Sequence, residues 1–297
     1  MLGWDVWAGQ DAVGRTILLE LRLPRALLAV LIGGSLGLAG AALQGYLRNA
    51  LADPGTLGIS AMAALGAVLS IFLGFADLNY WMLPLSGVAG ALVGMAALLA
   101  LAGTMASTLT LVLSGIILSA IAVAGIALVL SLSPSPWAAG EIVRWMLGAL
   151  TDRSIDDVII ATPLIAVGTI VTLRCRHALD ALTLGELGAR SLGIDLQRTQ
   201  WQLAWGVGLI VGAGVAVAGI IGFVGLVVPH LLRPIVGSRP AALLVPSAVA
   251  GAALVLAGDV LVRLLPGGSE LQLGVVMSLV GAPFFFALLH SMRRKLT

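Results

Sequence analysis

Residues 24–44, PRALLAVLIGGSLGLAGAALQ, decide the fold class of this chain. After Arg25 the stretch contains no charged side chain, and its length matches the roughly 20 apolar residues with which a helix crosses a bilayer. Similar stretches recur along the 297 residues, of which 60% are hydrophobic and 10% are charged. A soluble domain carries about 25% charged residues. The composition therefore predicts a helical membrane protein that crosses the bilayer several times.

Nine apolar stretches are candidate membrane spans, and the short alternating segments of a transmembrane β-barrel are not found. The spans are 24–44, 56–75, 82–102, 108–131, 158–173, 199–218, 220–235, 243–261 and 272–290. The seventh is short, and Pro229 is expected to break it. Residues 131–157, which contain Trp137 and Trp145, predict an amphipathic helix at the membrane interface. We therefore expect one all-α membrane domain over residues 1–297.

Arginine and lysine predict the orientation of this domain. If Arg293, Arg294 and Lys295 near the C-terminus are cytoplasmic, alternation of the spans places most other loop cations there as well, as the positive-inside rule requires. The segment 178–196 then lies in the largest cytoplasmic loop. Several arginines fall on the outer face and weaken the bias. The bias is stronger when the arginines of the N-terminal LRLPR segment are left out of the count, so the location of these arginines on the outer face requires an explanation.

Residues 182–195, LTLGELGARSLGID, gather charge in a chain that otherwise avoids it. Glu186 and Arg190 have the spacing of an i,i+4 ion pair on a helix. One apolar face can be formed by Leu184, Leu187 and Leu192. Tight turns and close approach of another backbone are permitted by Gly185, Gly188 and Gly193. A merely solvated loop does not explain the leucines, so we interpret 178–196 as short helices that contact a partner.

The sequence lacks the motifs of an independent energy source or a catalytic centre. There is no GxxxxGK[ST] phosphate loop, so the chain is not expected to hydrolyse ATP alone. The three histidines are far apart and Cys175 is the single cysteine, so no disulfide and no metal site are expected. The net charge of +2 is scattered, which disfavours a nucleic-acid partner. We predict no catalytic residue and no bound cofactor.

Two other functions remain open at this point. Residues 33–37, GGSLG, match the G-x-S-x-G pattern of serine hydrolases, and an intramembrane protease would pair Ser35 with a histidine such as His230. The pattern lies inside a predicted helix, however, where its glycines have the simpler role of helix packing. A stand-alone ion-coupled secondary transporter would need acids inside its spans, and Asp259 is the candidate. A local ion pair with Arg263 at i+4 explains Asp259 equally well.

Four motifs in the same order resemble one family of membrane proteins. They are LRLPRALLAVLIGGSLGLAGAALQGYLRNALADPGTLGIS, LTLGELGARSLGI, GFVGLVVPHLLRPIVG and ELQLGVVMSLVGAPFFFALL. Together they extend over residues 21–289 and resemble the FecCD-type permeases, the membrane subunits of bacterial ABC importers for iron-siderophore complexes, haem or cobalamin. The resemblance implies the type II importer permease fold, a multi-pass location in the bacterial inner membrane, and ATP hydrolysis by a separate subunit.

The resemblance also implies partners. A second copy would form a homodimer around one pathway, two ATP-binding subunits that use ATP and Mg²⁺ would bind on the cytoplasmic side, and a periplasmic substrate-binding protein would bind on the outer side. Members of the family usually have ten spans. This sequence begins near the segment that leads into their second span, so either the natural start lies upstream or the first span was lost.

Three groups of residues take their expected roles from the family. The ATPase-coupling helices match Leu184, Gly185, Glu186, Leu187, Gly188, Arg190, Leu192 and Gly193. The outer arginines that pair with glutamates of the binding protein match Arg22, Arg25 and Arg263. Contact with lipid phosphate is the alternative role of these arginines. The inner gate is expected in the turn between the third and fourth spans, at Thr104, Met105, Ser107 and Thr108.

Overall fold

The computed structural model describes residues 12–103, 108–133, 136–264 and 271–294. These residues form helices with short connections, and no β-strand occurs within the described ranges. The helices are α1 (Ala12–Thr16), α2 (Leu23–Tyr46), α3 (Ile59–Phe72), α4 (Phe75–Leu78), α5 (Met82–Ala102), α6 (Thr108–Ser131), α7 (Pro136–Met146), α8 (Ile155–Arg174), α9 (Arg176–Ala181), α10 (Gly185–Ser191), α11 (Leu196–Ala218), α12 (Val224–Val236), α13 (Pro240–Leu264) and α14 (Leu273–Arg294). A π-helical turn, Ile17–Arg22, precedes α2, and a 3-10 turn, Leu182–Leu184, precedes α10.

Each of the nine predicted spans lies on one of these helices. Six of the described helices are long and apolar enough to cross a membrane, namely α2 with the turns before it, α5, α6, α8, α11 and α13. The other three spans correspond to the shorter apolar helices Ile59–Phe72, Val224–Val236 and Leu273–Ala287. The amphipathic helix expected between the fourth and fifth spans corresponds to α7. The all-α membrane fold predicted from the sequence is therefore confirmed.

The prediction that Pro229 breaks the seventh span was wrong. α12 continues through both Pro229 and Pro234. A proline inside a helix removes the N–H that would serve the carbonyl four residues earlier, which here is the carbonyl of Gly225. Gln44 of α2 replaces that donor, because its Nε2 donates to Gly225 O at 3.1 Å. A side chain from a neighbouring helix thus compensates for the missing hydrogen bond.

α2 and α11 form the centre of the bundle. In the most apolar part of each helix, 72% and 78% of the residues are buried, compared with 33–39% for the other four long helices. α12 and α13 pack on α2, whereas α5 and α8 pack on α11. The peripheral helices α6, α13 and α14 expose many large apolar side chains. Such faces suit contact with lipid or with another membrane chain, because lipid tails are themselves apolar.

Small residues allow α2 and α13 to touch at backbone distance. A Cβ atom on Gly37 would lie 2.1 Å from Ser247 O, and one on Gly33 would lie 2.4 Å from Gly251 O. Neither position can accommodate a side chain without separating the two helices. This contact explains the small-xxx-small spacing of Gly33 and Gly37 as a packing feature.

The pairing of α2 with α13 defines two ends of the bundle. Gly45, near the end of α2, lies beside Pro240 at the start of α13, whereas Arg25, near the start of α2, contacts Asp259 near the end of α13. The two helices are therefore antiparallel. Residues 176–195 pack near Tyr46, and we call this the loop end. The opposite end, which contains Arg25, is called the arginine end.

Candidate functional site

Residues 176–195 form a compact unit of short helices at the loop end. Gly185 (φ +86°) and Gly193 (φ +79°) turn the chain on either side of α10. These angles are readily adopted by glycine and are unfavourable for other residues. Gly188 lies within α10, where a Cβ atom would meet Leu184 Cβ at 2.9 Å. Two of the three glycines thus supply turns, and the third supplies a close contact.

The helix α10 and its flanking turns expose large apolar side chains. Leu184, Leu187 and Leu192 are 68%, 84% and 62% exposed, and we call these three residues the leucine face. The buried side is small, since Ala189 packs against Ala181 and Leu182. Glu186 and Arg190 are also exposed. Exposed apolar clusters with charged neighbours are typical of surfaces that contact another protein.

Asp180 attaches this unit to the start of α13. One of its carboxylate oxygens accepts a hydrogen bond from Arg239 Nη2 at 2.7 Å, and the other accepts one from the backbone N–H of Ala241 at 3.0 Å. Burial would raise the pKa of Asp180, but the Ala241 N–H and the Arg239 guanidinium outweigh burial and lower the pKa below its ordinary value. The carboxylate is therefore charged at neutral pH and holds the loop against a long helix.

At the arginine end, Asp259 joins α2 to α13. This carboxylate is fully buried. One oxygen accepts a hydrogen bond from Arg25 Nε at 2.7 Å, and the other pairs with Arg263, one helical turn further along α13. The ion pair expected from the i,i+4 spacing is present, with Arg25 as a second cation. Both oxygens of Asp259 are thus engaged by the protein, whereas an ion-coupled transporter would need them for the transported ion.

A cleft of about 540 Å³ opens beside this ion pair. Its lining includes three arginines and one acid, and the residues are Leu21, Arg25, Arg144, Thr151, Asp152, Arg153 and Gln272. Among the described residues, Arg153 Nε and Gln272 Oε1 are buried without a hydrogen-bond partner. Buried polar groups normally have a hydrogen-bond partner, so these two atoms indicate a place where a bound water, ion or ligand would complete the hydrogen bonding.

The three arginines expected to bind an external partner occupy different environments. Arg22 is exposed, whereas Arg25 and Arg263 are partly buried and bound to Asp259. The sequence reasoning did not assign Arg144 and Arg153, which line the cleft with Arg25. The sequence did contain a signal for these two residues. Both fall on the outer face in the predicted orientation, where the positive-inside rule expects few arginines.

The predicted gate falls largely outside the described residues. This applies to Thr104, Met105 and Ser107. Thr108 begins α6, but its side chain is also outside the part of the chain that is described. The gate therefore stays a prediction.

The residues of the hydrolase pattern lie in ordinary helical surroundings. Ser35 is buried inside α2, and its hydroxyl donates to Ile32 O of the same helix at 3.1 Å. A serine nucleophile of this pattern requires a strand–turn–helix, which this segment does not form. His230 lies on α12 with its ring edge-on to Phe284, and the ring centroids are 6.0 Å apart. Within the described ranges, no three potential metal-ligating side chains of His, Cys, Asp or Glu come together.

The chain is similar to ABC transporter permeases along nearly its whole length. The FecCD transport family matches residues 3–291. The vitamin B12 import system permease BtuC of Vibrio cholerae is 40% identical over 279 residues, which are 91% of this chain and 81% of BtuC. FecD, the Fe(3+) dicitrate transport system permease of Escherichia coli, is 39% identical over 278 residues, which are 93% of this chain and 86% of FecD.

A solved structure has the same fold. It is described as a metal-chelate type ABC transporter in an inward-facing conformation, and it superposes with a TM-score of 0.87 at 30% sequence identity. The superposition covers 95% of this chain and 89% of that chain. Sequence and fold therefore agree over almost the full set of helices described above. The chain belongs to the FecCD transport family and is a membrane permease subunit of a type II ABC importer.

Proposed function

We propose that this permease carries an iron chelate or cobalamin across the bacterial inner membrane, driven by two separate ATP-binding subunits. The observation that carries the proposal is the leucine face, an exposed apolar surface on a chain without a phosphate loop. The permeases to which the chain is similar are named for vitamin B12 and for Fe(3+) dicitrate. Both cargoes are metal chelates, which makes a chelate the substrate class best supported here.

In this proposal the loop end faces the cytoplasm and the leucine face inserts into a cleft of an ATP-binding subunit. Glu186 and Arg190 would contact the rim of that cleft. Movement of the subunit would pass to α13 through Asp180, which hydrogen-bonds the first turn of that helix. Because α13 touches α2 at backbone distance, the displacement would reach the centre of the bundle as a rigid-body motion.

The arginine end would face the periplasm and receive acidic side chains of the binding protein. We assign direct contact to Arg22, Arg144 and Arg153, and we assign Arg25 and Arg263 to the ion pair that holds α2 and α13 together. Fixed cations around the cleft would steer and orient an anionic partner surface. If changing the three contact arginines to glutamate leaves the affinity for the binding protein unaltered, these residues contact lipid phosphate instead.

A second copy of the chain would complete the translocation pathway. The exposed apolar faces of α6 and α14, which include Ile117, Ile121 and Phe286, suit either lipid or this second copy. Three of the proposed gate residues precede α6 in the sequence, and the fourth, Thr108, begins it. If the α6 helices of the two copies met at their first residues, the homodimer would bring the two gate turns together at the inner side of the pathway.

Transport by reconstituted protein tests this function. Liposomes that contain the permease and its ATP-binding subunits should take up cobalamin or a ferric chelate delivered by the binding protein when ATP is present on the loop side. Liposomes that contain the permease alone should take up neither cargo, with or without an ion gradient. Uptake driven by a proton or sodium gradient in the absence of the ATP-binding subunits would establish a stand-alone secondary transporter and contradict the proposal.

A further inference from the structure

A cavity of about 280 Å³, lined by both polar and apolar residues, lies at the loop end, between α2, α12 and the start of α13. The volume is several times the roughly 30 Å³ that one water molecule occupies in the liquid. Its lining includes Gln44, Arg48, Thr183, Arg233, Ser238 and Pro240. Two of the lining residues are arginines, and none of them is acidic. The cavity is therefore positively charged and large enough for a small polar group.

Arg233 supplies one of the two charges from inside the bundle. Its Nη2 donates to Gln44 Oε1 at 2.9 Å, and Gln44 is itself held by the backbone of α12. Arg233 Nε is buried and has no hydrogen-bond partner among the described residues. Among the described residues no acid pairs with this partly buried guanidinium, so its charge is uncompensated there.

Arg48 supplies the second charge from just beyond the end of α2. Its backbone is left-handed, with a φ of +48°, a conformation that costs an L-residue other than glycine about 1–2 kcal/mol. The side chain is exposed, and none of the described acids forms an ion pair with it. Its Nη1 atom lies 3.9 Å from the position that a Cβ on Gly185 would occupy. Arg48 therefore borders both the cavity and the first residue of α10.

Three acids lie close in sequence to the cavity residues, and each is already engaged or lies outside the lining. Asp53 accepts the backbone N–H of Gly55 and does not line the cavity. Asp180 is bound to Arg239 and to the Ala241 N–H. Glu186 is exposed on α10 and does not line the cavity. Two guanidinium groups and the exposed Ser238 thus border a space that none of the described acids lines, whereas the Thr183 hydroxyl already donates to Asp180 O at 2.6 Å. A guanidinium group matches the geometry of phosphate oxygens, to which it can donate two parallel hydrogen bonds.

We propose that this cavity binds a phosphate group between Arg48 and Arg233, namely the headgroup phosphate of an anionic phospholipid. The cavity lies at the ends of α2 and α12 and the start of α13, and in the proposed orientation these helix ends would meet the lipid headgroups. Basic pockets between membrane helices on the cytoplasmic side recognise such headgroups. The assignment to the cytoplasmic leaflet rests on the orientation in the proposed function. Because Arg48 borders Gly185, the bound headgroup would also brace the start of α10.

Lipid binding to the purified permease in detergent tests this proposal without ATP or transport. Native mass spectrometry is used to measure retention of phosphatidylglycerol, phosphatidylcholine and inorganic phosphate by the wild type. The wild type is expected to bind phosphatidylglycerol at least about tenfold more tightly than phosphatidylcholine. Arg48→Gln and Arg233→Gln should each weaken phosphatidylglycerol binding about tenfold, because each removes a charge-assisted hydrogen bond. Arg198→Gln, at an exposed position of the same end, is the matched control and should bind as the wild type does.

Several outcomes would overturn the proposal. Equal binding of the two lipids by the wild type, or unchanged phosphatidylglycerol binding by Arg48→Gln, would show that the cavity is not the site. Arg48 is exposed, so its replacement leaves folding intact and keeps this comparison valid. Binding of inorganic phosphate without phosphatidylglycerol would assign the cavity to a soluble phosphate compound and exclude the lipid. If inorganic phosphate competes with phosphatidylglycerol for the wild type, and if this competition is lost in Arg48→Gln and Arg233→Gln, the lipid headgroup is supported as the ligand of this site.

Discussion

Replacing Leu184, Leu187 and Leu192 together by serine is expected to weaken binding of the ATP-binding subunits at least about a hundredfold and to abolish ATP-driven uptake. Burying one leucine side chain contributes about 1.5–3 kcal/mol, and a tenfold change in affinity corresponds to about 1.4 kcal/mol. The three side chains are 62–84% exposed in the free chain, so the fold itself should lose little stability. Co-purification of the subunits and uptake into liposomes measure the two effects.

The matched control for the leucine face is the charged pair on the same helix. Glu186→Gln combined with Arg190→Gln should reduce subunit affinity by less than about tenfold, because exposed ion pairs contribute at most about 1 kcal/mol. Thermal unfolding of each variant in detergent checks that the fold is unchanged. If the charge variant loses the subunits and the serine variant retains them, the charged pair forms the contact and the leucine face does not.

Asp259→Ala is expected to destabilise the permease by about 3–5 kcal/mol. The substitution leaves Arg25, whose side chain is 13% exposed, as a buried charge without its carboxylate, and breaking a buried pair has a cost of this size. It also removes the partner of Arg263 and the polar link between α2 and α13. Denaturant unfolding of the purified protein in detergent measures the loss of stability.

Two variants at the same end calibrate this effect. Asp152→Asn removes the charge of an exposed acid of the neighbouring cleft and keeps a residue type that tolerates the left-handed backbone of this position, φ +56°. It should change stability by less than about 0.5 kcal/mol. Arg263→Gln should be intermediate, because the Asp259–Arg25 pair remains and the Arg263 side chain is 30% exposed. Equal stability of Asp259→Ala and Asp152→Asn would mean that the ion pair does not hold the helices together. Arg25 and Arg263 would then be free to bind an external partner.

The membrane helices could be predicted from the sequence because apolar length and the absence of charge are local properties. The Asp259–Arg263 pair could also be predicted, since its spacing is one helical turn. Arg25 could not be assigned to the same carboxylate, because 234 residues separate the two positions and the contact exists only once α2 and α13 pack. The continuity of α12 depends in the same way on Gln44, a residue of another helix.

The candidate sites show the same division. The leucines and glycines of 182–195 indicated a partner-binding surface, and the structure exposes Leu184, Leu187 and Leu192. The attachment of this loop to α13 through Asp180 had no local signal, because Arg239 lies in a distant segment. The cavity between Arg48 and Arg233 likewise arises from tertiary packing. Spacing along the chain reveals which residues share a helical face, but it does not reveal which helices meet.

The central claim is that the leucine face contacts an ATP-binding subunit, and site-specific crosslinking tests it most directly. The native Cys175 should not interfere, because it is 1% exposed and burial raises the pKa of its thiol to about 11, so little reactive thiolate forms at neutral pH. In the assembled importer, the test variant Leu187→Cys, at an 84% exposed position, is labelled with a thiol-reactive photocrosslinker. The control is Leu78→Cys, at a 75% exposed position of the arginine end. Leu78 lies there because the hydroxyl of nearby Tyr80 contacts Ser154, which is next to Arg153 of the cleft. We predict a covalent product with the ATP-binding subunit from position 187 and none from position 78. An assembled, ATP-hydrolysing importer in which position 187 yields no such product would contradict the account.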